Sequence, residues 1–80
     1  MLEKGSVVRS LAGRDKDRLL TVIRTDADAV YVCDGRERPL ERPKRKNPRH
    51  ILDTGFTLEP QTVGSNKALR KALAGFAERV

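Results

Sequence analysis

The chain has 80 residues, of which 38% are hydrophobic and 4% aromatic, and it carries a single cysteine. This length suits one small domain with a modest aliphatic core, and one cysteine excludes an intramolecular disulfide. No stretch approaches the roughly twenty apolar residues of a membrane span. The first residues also lack the apolar stretch of a signal peptide, so we expect a cytoplasmic protein without membrane contact.

The charge of the chain is unevenly distributed. Seventeen Lys and Arg against eleven Asp and Glu give a net charge of +6. Residues 36–50 hold seven of the basic residues and two of the acidic ones, which leaves ten basic and nine acidic residues elsewhere. A positive segment on a nearly neutral domain is typical of a protein that binds a polyanion such as nucleic acid. The alternative is a solvated basic loop that only aids solubility.

The predicted elements start with a strand at residues 6–11. Gly13 then opens a tight charged loop at residues 13–18, because a glycine takes a positive φ angle at little steric cost. A second strand at residues 19–24 is rich in β-branched residues, which favour extended backbone. Strand, basic loop and strand together would present cations at the rim of a small sheet.

A third strand is predicted at residues 29–33, and the Asp-Gly pair that follows is a strong hairpin signal. The returning strand is expected at residues 36–40. Pro39 lacks an N–H and cannot donate to a ladder, so this strand should lie at an edge of the sheet or end near that point.

The segment after this hairpin is the most basic part of the chain. Residues 41–48 hold two prolines around a Lys-Arg-Lys-Asn run and are predicted to form an extended basic loop. A short final strand is predicted at residues 49–53. Residues 54–64 show no clear periodicity and are predicted to connect the sheet to a helix.

From residue 65 the apolar residues recur at helical spacing, on a face formed by Leu69, Leu73, Phe76 and Val80. Ser65 or Asn66 is the expected N-cap. We expect this face to pack on the sheet, because so small a domain needs the apolar area. The alternative is that it docks on a partner protein, or lies against RNA with Lys67, Arg70 and Lys71.

Four or five short strands followed by one helix predict a mainly β domain with a small curled or barrel-like antiparallel sheet. We accordingly divide the chain into a sheet domain at residues 1–53, a connecting segment at residues 54–64 and a C-terminal amphipathic helix at residues 65–80.

Residues 5–16, followed by the Leu-Thr-Val-Ile run, resemble the KOW motif, a strand–loop–strand unit with a key loop glycine that Gly13 matches. This motif occurs in large-subunit ribosomal proteins and in transcription elongation factors of the NusG type. With Asp34-Gly35, the run Pro43-Lys-Arg-Lys-Asn47 and His50, the chain is similar to small bacterial KOW-domain RNA-binding proteins. The resemblance covers about residues 5–53 and implies a five-stranded SH3-like barrel that binds ribosomal RNA.

One position departs from the KOW pattern. Where many KOW loops end in a second glycine, this chain has Asp17. An aspartate takes the left-handed conformation less readily than glycine, and its charge lies next to Lys16. A close approach of the backbone to phosphate at this position is therefore in question.

The candidate RNA-binding residues lie in the basic segments of the chain. Arg14 and Lys16 are the predicted phosphate contacts of the first loop, since phosphate contacts dominate such interfaces. The second group, predicted from local charge density and the resemblance, contains Arg36, Arg38, Lys44, Arg45, Lys46, Asn47, Arg49 and His50.

Asn47, His50 and Tyr31 also have structural interpretations. Asn47 either reads a base edge or stabilises a turn beside Pro48. His50 lies beside an apolar pair and suits a structural hydrogen-bonding role. Tyr31 either stacks on a base or fills the barrel; with only three aromatic residues in the chain we favour the barrel, and we expect recognition to be electrostatic and shape-based.

Catalysis and cofactor binding have no support in the sequence. One Cys and one His cannot supply a four-ligand zinc site. No nucleophile motif or glycine-rich phosphate loop is present. We therefore expect a protein that is not an enzyme and binds no cofactor.

The predicted function is a non-catalytic RNA-binding protein, ribosomal or ribosome-associated, that binds structured rRNA of the large subunit through two basic loops. Ribosomal proteins are possible further partners, and we expect the free protein to be a monomer. The alternative from another class is a KOW-type protein-interaction module in a transcription or translation complex. DNA binding is a third possibility, since RNA is preferred over DNA only through the resemblance.

Overall fold

The computed structural model describes residues 2–77. Five strands form one antiparallel sheet in the order β4-β3-β2-β1-β5: β1 (Ser6–Ser10), β2 (Leu19–Thr25), β3 (Val30–Cys33), β4 (Lys44–Lys46) and β5 (Ile51–Thr57). A 3-10 turn at Pro48–His50 separates β4 from β5. Two helices follow, α1 (Pro60–Val63) and α2 (Asn66–Ala77). The mainly β class with a C-terminal helix is thus confirmed.

Residues 36–40 do not form a strand, so that prediction is wrong. The strand that returns along β3 is β4, which lies within the segment predicted as an extended basic loop. The cause is Asp34, whose Oδ1 accepts the N–H groups of Arg36 at 2.8 Å and Arg38 at 2.9 Å. These two hydrogen bonds close a local turn where a paired strand was expected, and aspartate side chains often form such turns. The chain then needs the longer excursion to residue 44 before it can return along β3.

The last strand is longer than predicted. It begins at Ile51 and continues to Thr57, so residues 54–57 belong to the sheet rather than to a connecting segment. The register between β1 and β5 shifts at this point, where Gly55 has a φ of 86° and the Thr54 hydroxyl donates to the carbonyl of Val7 at 2.6 Å. A bulge of this kind breaks the alternation of side chains, which hides the strand from a periodicity analysis.

Both faces of the sheet are covered. Consecutive residues of a strand point to opposite faces, and Val7 and Val8 are both fully buried. Val8 belongs to a cluster with Leu20, Val22, Val30, Val32 and Ile51. Val7 belongs to a second cluster with Leu19, Cys33, Leu69 and Leu73. The second cluster therefore joins the sheet to α2.

The α2 helix packs on the sheet, as we expected for so small a domain. Leu69 and Leu73 are buried there, and Phe76 packs against the same cluster; Val80 lies outside the described residues. The helix begins after Ser65, whose hydroxyl accepts the N–H of Ala68 at 3.3 Å. Asn66 instead accepts the N–H of Leu40 at 2.8 Å and so ties the helix to the loop after β3.

A glycine allows the close contact between that loop and α2. Gly35 has a φ of 80°, and a side-chain carbon placed there would collide with the carbonyl oxygen of Asn66. Any other residue at this position would push the turn away from the helix. The Asp-Gly pair therefore serves a helix contact, in addition to the turn that the sequence predicted.

Candidate nucleic-acid interface

The loop between β1 and β2 is a compact double turn. The N–H of Lys16 donates to the carbonyl of Gly13 at 3.2 Å, and the N–H of Arg18 donates to the carbonyl of Asp15 at 3.0 Å. Gly13 has a φ of 87° and Asp17 a φ of 71°, so the aspartate adopts the left-handed conformation that the KOW pattern gives to glycine. Arg14 and Lys16 are exposed on this loop.

Asp15 points the other way, into the protein, where it meets Lys46. The ammonium Nζ lies 2.8 Å from Oδ1 of Asp15, and each side chain is 7% exposed. The same ammonium donates to the Ser10 hydroxyl at 2.8 Å and to the carbonyl of Ala12 at 2.7 Å. Lys46 is thus fully engaged inside the protein and does not belong to the surface that can contact RNA, which corrects its assignment as an RNA-binding residue.

The ionisation of Asp15 reflects two opposing effects. Burial raises the pKa of the carboxyl, but hydrogen bonds from Lys46 and Ser10 and the charge of Lys46 together lower it below its ordinary value of 3.8. The carboxylate is therefore charged at neutral pH and holds the ammonium in place. Its Oδ2 is buried and has no hydrogen-bond partner within residues 2–77.

The basic segment after Pro43 is built as a strand and a capped turn. Lys44 and Arg45 are exposed on β4, and Arg49 and His50 are exposed on the 3-10 turn. Asn47 caps this turn, since its Oδ1 accepts the N–H of Arg49 at 2.9 Å. The turn-stabilising interpretation of Asn47 is thus confirmed, and its amide Nδ2 takes no part in this cap.

The two basic segments meet directly. Lys46 joins the second segment to Asp15 in the first, and the N–H of Leu11 donates to the carbonyl of His50 at 2.8 Å. A buried ion pair and a backbone hydrogen bond therefore hold the two ends together. This contact joins the two segments that contain most of the residues predicted to bind RNA.

The turn after β3 supplies the remaining two predicted residues, the exposed Arg36 and the half-buried Arg38. Arg38 lines a small cleft of about 320 Å³ together with Arg14, Asp15 and Glu37. The carboxylate of Glu37 lies 2.8 Å from the guanidinium of Arg18, and both side chains are largely exposed. The β1–β2 loop and this turn thus face each other across the cleft.

Sequence reasoning missed a row of side chains that runs across β2, β3 and β4. Arg24 is paired across the ladder with Tyr31, and Tyr31 with Arg45. The guanidinium of Arg24 lies 4.1 Å from the centre of the Tyr31 ring, and the tyrosine hydroxyl donates to Asp26 at 3.1 Å. The row follows from strand register alone, so no local sequence signal could have revealed it.

Burial, followed by the charges of Asp34 and Glu41, raises the pKa of the Cys33 thiol to about 11, so it stays protonated at neutral pH. Residues 2–77 contain no group of three or more His, Cys, Asp or Glu side chains placed to hold a metal ion. Within the same residues no helix has the length and apolar content to cross a bilayer.

Comparison of the sequence with protein-family models and with curated proteins finds no match to either.

Proposed function

We propose that this protein is a non-catalytic RNA-binding protein of the ribosome, or associated with it, and that it binds structured rRNA. The observation that carries this proposal is the contact between the two basic segments through Lys46 and Asp15. The two segments that this contact joins expose five cations: Arg14, Lys16, Lys44, Arg45 and Arg49. We call these five residues the basic surface.

The basic surface suits the phosphate backbone of RNA. Arginine can grip a phosphate with two parallel hydrogen bonds, and lysine acts as a point charge. The double turn and the capped 3-10 turn fix the backbone that carries these side chains, which lowers the entropy lost on binding. Each phosphate that is neutralised releases counterions, so the affinity should fall steeply as salt is added.

We further propose that the sheet curls into a KOW-type, SH3-like barrel. The edge strands β4 and β5 stand four positions apart in the sheet, which would separate them by about 19 Å in a flat sheet. Residues 47–50 join them, and with a 3-10 turn this connection spans only about 14 Å. Strong curvature is what allows so short a link, and it supports the barrel.

The experiment compares two triple variants in binding to fluorescently labelled rRNA from the large subunit. Arg14→Glu/Arg45→Glu/Arg49→Glu changes the basic surface. Lys4→Glu/Lys67→Glu/Lys71→Glu makes the same change of charge at exposed positions elsewhere; each variant lowers the net charge from +6 to zero, since every substitution removes two units. We expect the first variant to lose most of its affinity and the second to lose far less.

Controls separate the possible failures. Circular dichroism checks that both variants are folded, and duplex DNA of equal length tests the preference for RNA. Sedimentation of a cell lysate at low and high salt, with the protein followed by immunoblot, tests for association with the large subunit. Equal losses in the two variants would contradict the basic surface, and no rRNA binding by the wild type would contradict the function.

A further inference from the structure

A second cationic site lies on the α2 side of the sheet, apart from the basic surface. It is a cleft of about 480 Å³ whose walls come from α2, from the start of β2, from Arg9 on β1 and from the turn after β3. Such a volume lies within the range of small-molecule sites in proteins. Four arginines line it: Arg9, Arg18, Arg36 and Arg70. We call it the arginine cleft.

Two of these guanidinium groups are already engaged. Arg9 donates to the carbonyl of Asp17 at 2.9 Å, and Arg18 pairs with Glu37 at 2.8 Å. Arg36 and Arg70 make no side-chain hydrogen bond or ion pair within residues 2–77, and both residues are exposed. They are therefore the groups that can bind an anion without first breaking a contact.

The close contact at Gly35 brings these two arginines to one place. A side-chain carbon at Gly35 would lie 3.2 Å from the backbone nitrogen of Arg70, and Arg36 is the next residue in the turn. Both side chains therefore start from the same junction between the turn and α2. Two guanidinium groups at one junction suit a phosphate, which accepts paired hydrogen bonds from arginine.

The cleft also contains two acidic residues, Asp17 and Asp34, so its lining carries a net charge of +2 from four arginines and two aspartates. Asp34 uses Oδ1 to hold the turn. Carboxylates disfavour a densely charged anion such as a run of phosphates. A single phosphate on a larger uncharged group is the better match.

Part of the lining of the cleft is apolar. The side chains of Leu19 and Leu73 form its buried base, and Ala74 and Ala77 expose their methyl groups on the last turns of α2. Small side chains leave room for a flat group to lie against the helix. Guanidinium groups beside an apolar helix surface fit the two halves of a nucleotide.

From this geometry we infer that the arginine cleft binds one unpaired nucleotide, with its phosphate on Arg36 and Arg70 and its base against Leu73, Ala74 and Ala77. This inference rests on the proposed RNA-binding function and adds that the protein selects an unpaired nucleotide of the RNA. Unpaired nucleotides in bulges and loops are the parts of an RNA whose bases can leave the stack. The shared chemistry is a nucleoside 5′-phosphate, either free or within an RNA chain.

The test uses two RNA hairpins of equal length, one with a single-nucleotide bulge and one fully paired, and measures binding by fluorescence anisotropy. The wild type should bind the bulged hairpin about tenfold more tightly, which corresponds to about 1.4 kcal/mol. Arg70→Ala should remove this preference. The matched control, Lys71→Ala, removes the same charge at an exposed position outside the cleft and should keep it.

A second measurement separates the two sources of the nucleotide. Adenosine and uridine 5′-monophosphate are titrated into ¹⁵N-labelled protein, with inorganic phosphate as a control, and the amide signals of Arg70, Leu73 and Ala74 are followed. Shifts there that Arg70→Ala abolishes, together with the bulge preference, support the inference for RNA. Shifts without any bulge preference assign the cleft to a free nucleotide and overturn the RNA assignment.

The two proposals fail in different ways. If both hairpins bind equally and Arg70→Ala behaves like Lys71→Ala, the arginine cleft does not select an unpaired nucleotide of RNA, while RNA binding by the basic surface stands. If neither hairpin nor rRNA binds, the proposed function fails and the inference for RNA fails with it. Circular dichroism shows that each variant is folded.

Discussion

Two ion pairs in this protein have the same length and opposite surroundings. Lys46 and Asp15 approach to 2.8 Å with each side chain 7% exposed, whereas Arg18 and Glu37 approach to 2.8 Å with side chains 48% and 60% exposed. Distance alone would rank them as equal. Burial makes them different in what they do for the fold and in what their removal costs.

The exposed pair gains little, because water screens the attraction and two long side chains lose freedom to form it. The buried pair has given up hydration, and each partner depends on the other and on Ser10 and Ala12 to replace it. Removing one partner leaves the other charged and buried, which is strongly unfavourable. The buried pair therefore fixes the position of the β1–β2 loop, whereas the exposed pair contributes little to the stability of the turn after β3.

The largest expected effect is that of Lys46→Ala. It should lower the free energy of unfolding by about 3 kcal/mol, because Asp15 loses its counter-charge and main donor. For a chain of this length the total stability is roughly 4–12 kcal/mol, so the loss is easily measured by urea denaturation. The matched control is Lys44→Ala, which removes an exposed lysine from the same strand. Equal effects of the two substitutions would contradict the importance of burial.

The second-largest effect is expected from acid, which should weaken the buried pair. The pKa of Asp15 is lower in the folded protein than its ordinary value of 3.8. The ionised carboxyl therefore makes its full contribution to the free energy of unfolding above pH 3.8. The contribution is lost as the pH falls from 3.8 through the lower folded pKa. The stability difference between the wild type and Asp15→Asn should therefore shrink across this range in urea denaturation. For Asp28→Asn, an exposed control, a difference that shrinks equally would refute the assignment to Asp15.

A smaller effect is expected at Asp17, which lies in the sequence between Asp15 of the buried pair and Arg18 of the exposed pair. A φ of 71° costs a non-glycine residue about 1 kcal/mol or more, and a glycine at this position would not bear that strain. Glycine also has greater freedom in the unfolded chain, which offsets part of the stability gained by relieving the strain. Asp17→Gly should therefore stabilise the protein by about 0.5 kcal/mol. Asp28→Gly removes the same charge at a position without a positive φ and should destabilise it. A loss of thermal stability in Asp17→Gly would contradict strain at this position.

The smallest effect is expected for the exposed pair. Arg18→Ala should leave the urea midpoint unchanged within error, and the wild-type midpoint should not fall when salt screens this pair. Glu37→Ala should behave in the same way. A clear loss in either variant would mean that the exposed pair holds the turn after β3 against the β1–β2 loop, and the contrast with Lys46 and Asp15 would disappear.

Much of the fold could be predicted from local pattern. The strands rich in β-branched residues, the turn at Gly13 and the helix with Leu69 and Leu73 on one face all depend on residues close in the chain. The failures have two causes, a local side-chain turn that competes with the hairpin signal and a bulge set by pairing with a distant strand. Asp34 closes a side-chain turn where a hairpin strand was expected, and the bulge at Gly55 hides the last strand.

By itself the sequence determined the mainly β class, the terminal helix and the concentration of positive charge in residues 36–50, because these depend on composition and short-range spacing. Only the tertiary structure decided which cations are free. Lys44, Arg45 and Lys46 are three consecutive cations in the sequence, yet only Lys46 is buried, where its ammonium meets Asp15, thirty-one positions earlier in the chain. The physical reason is that burial is a property of the assembled sheet, and no local pattern of charges encodes it.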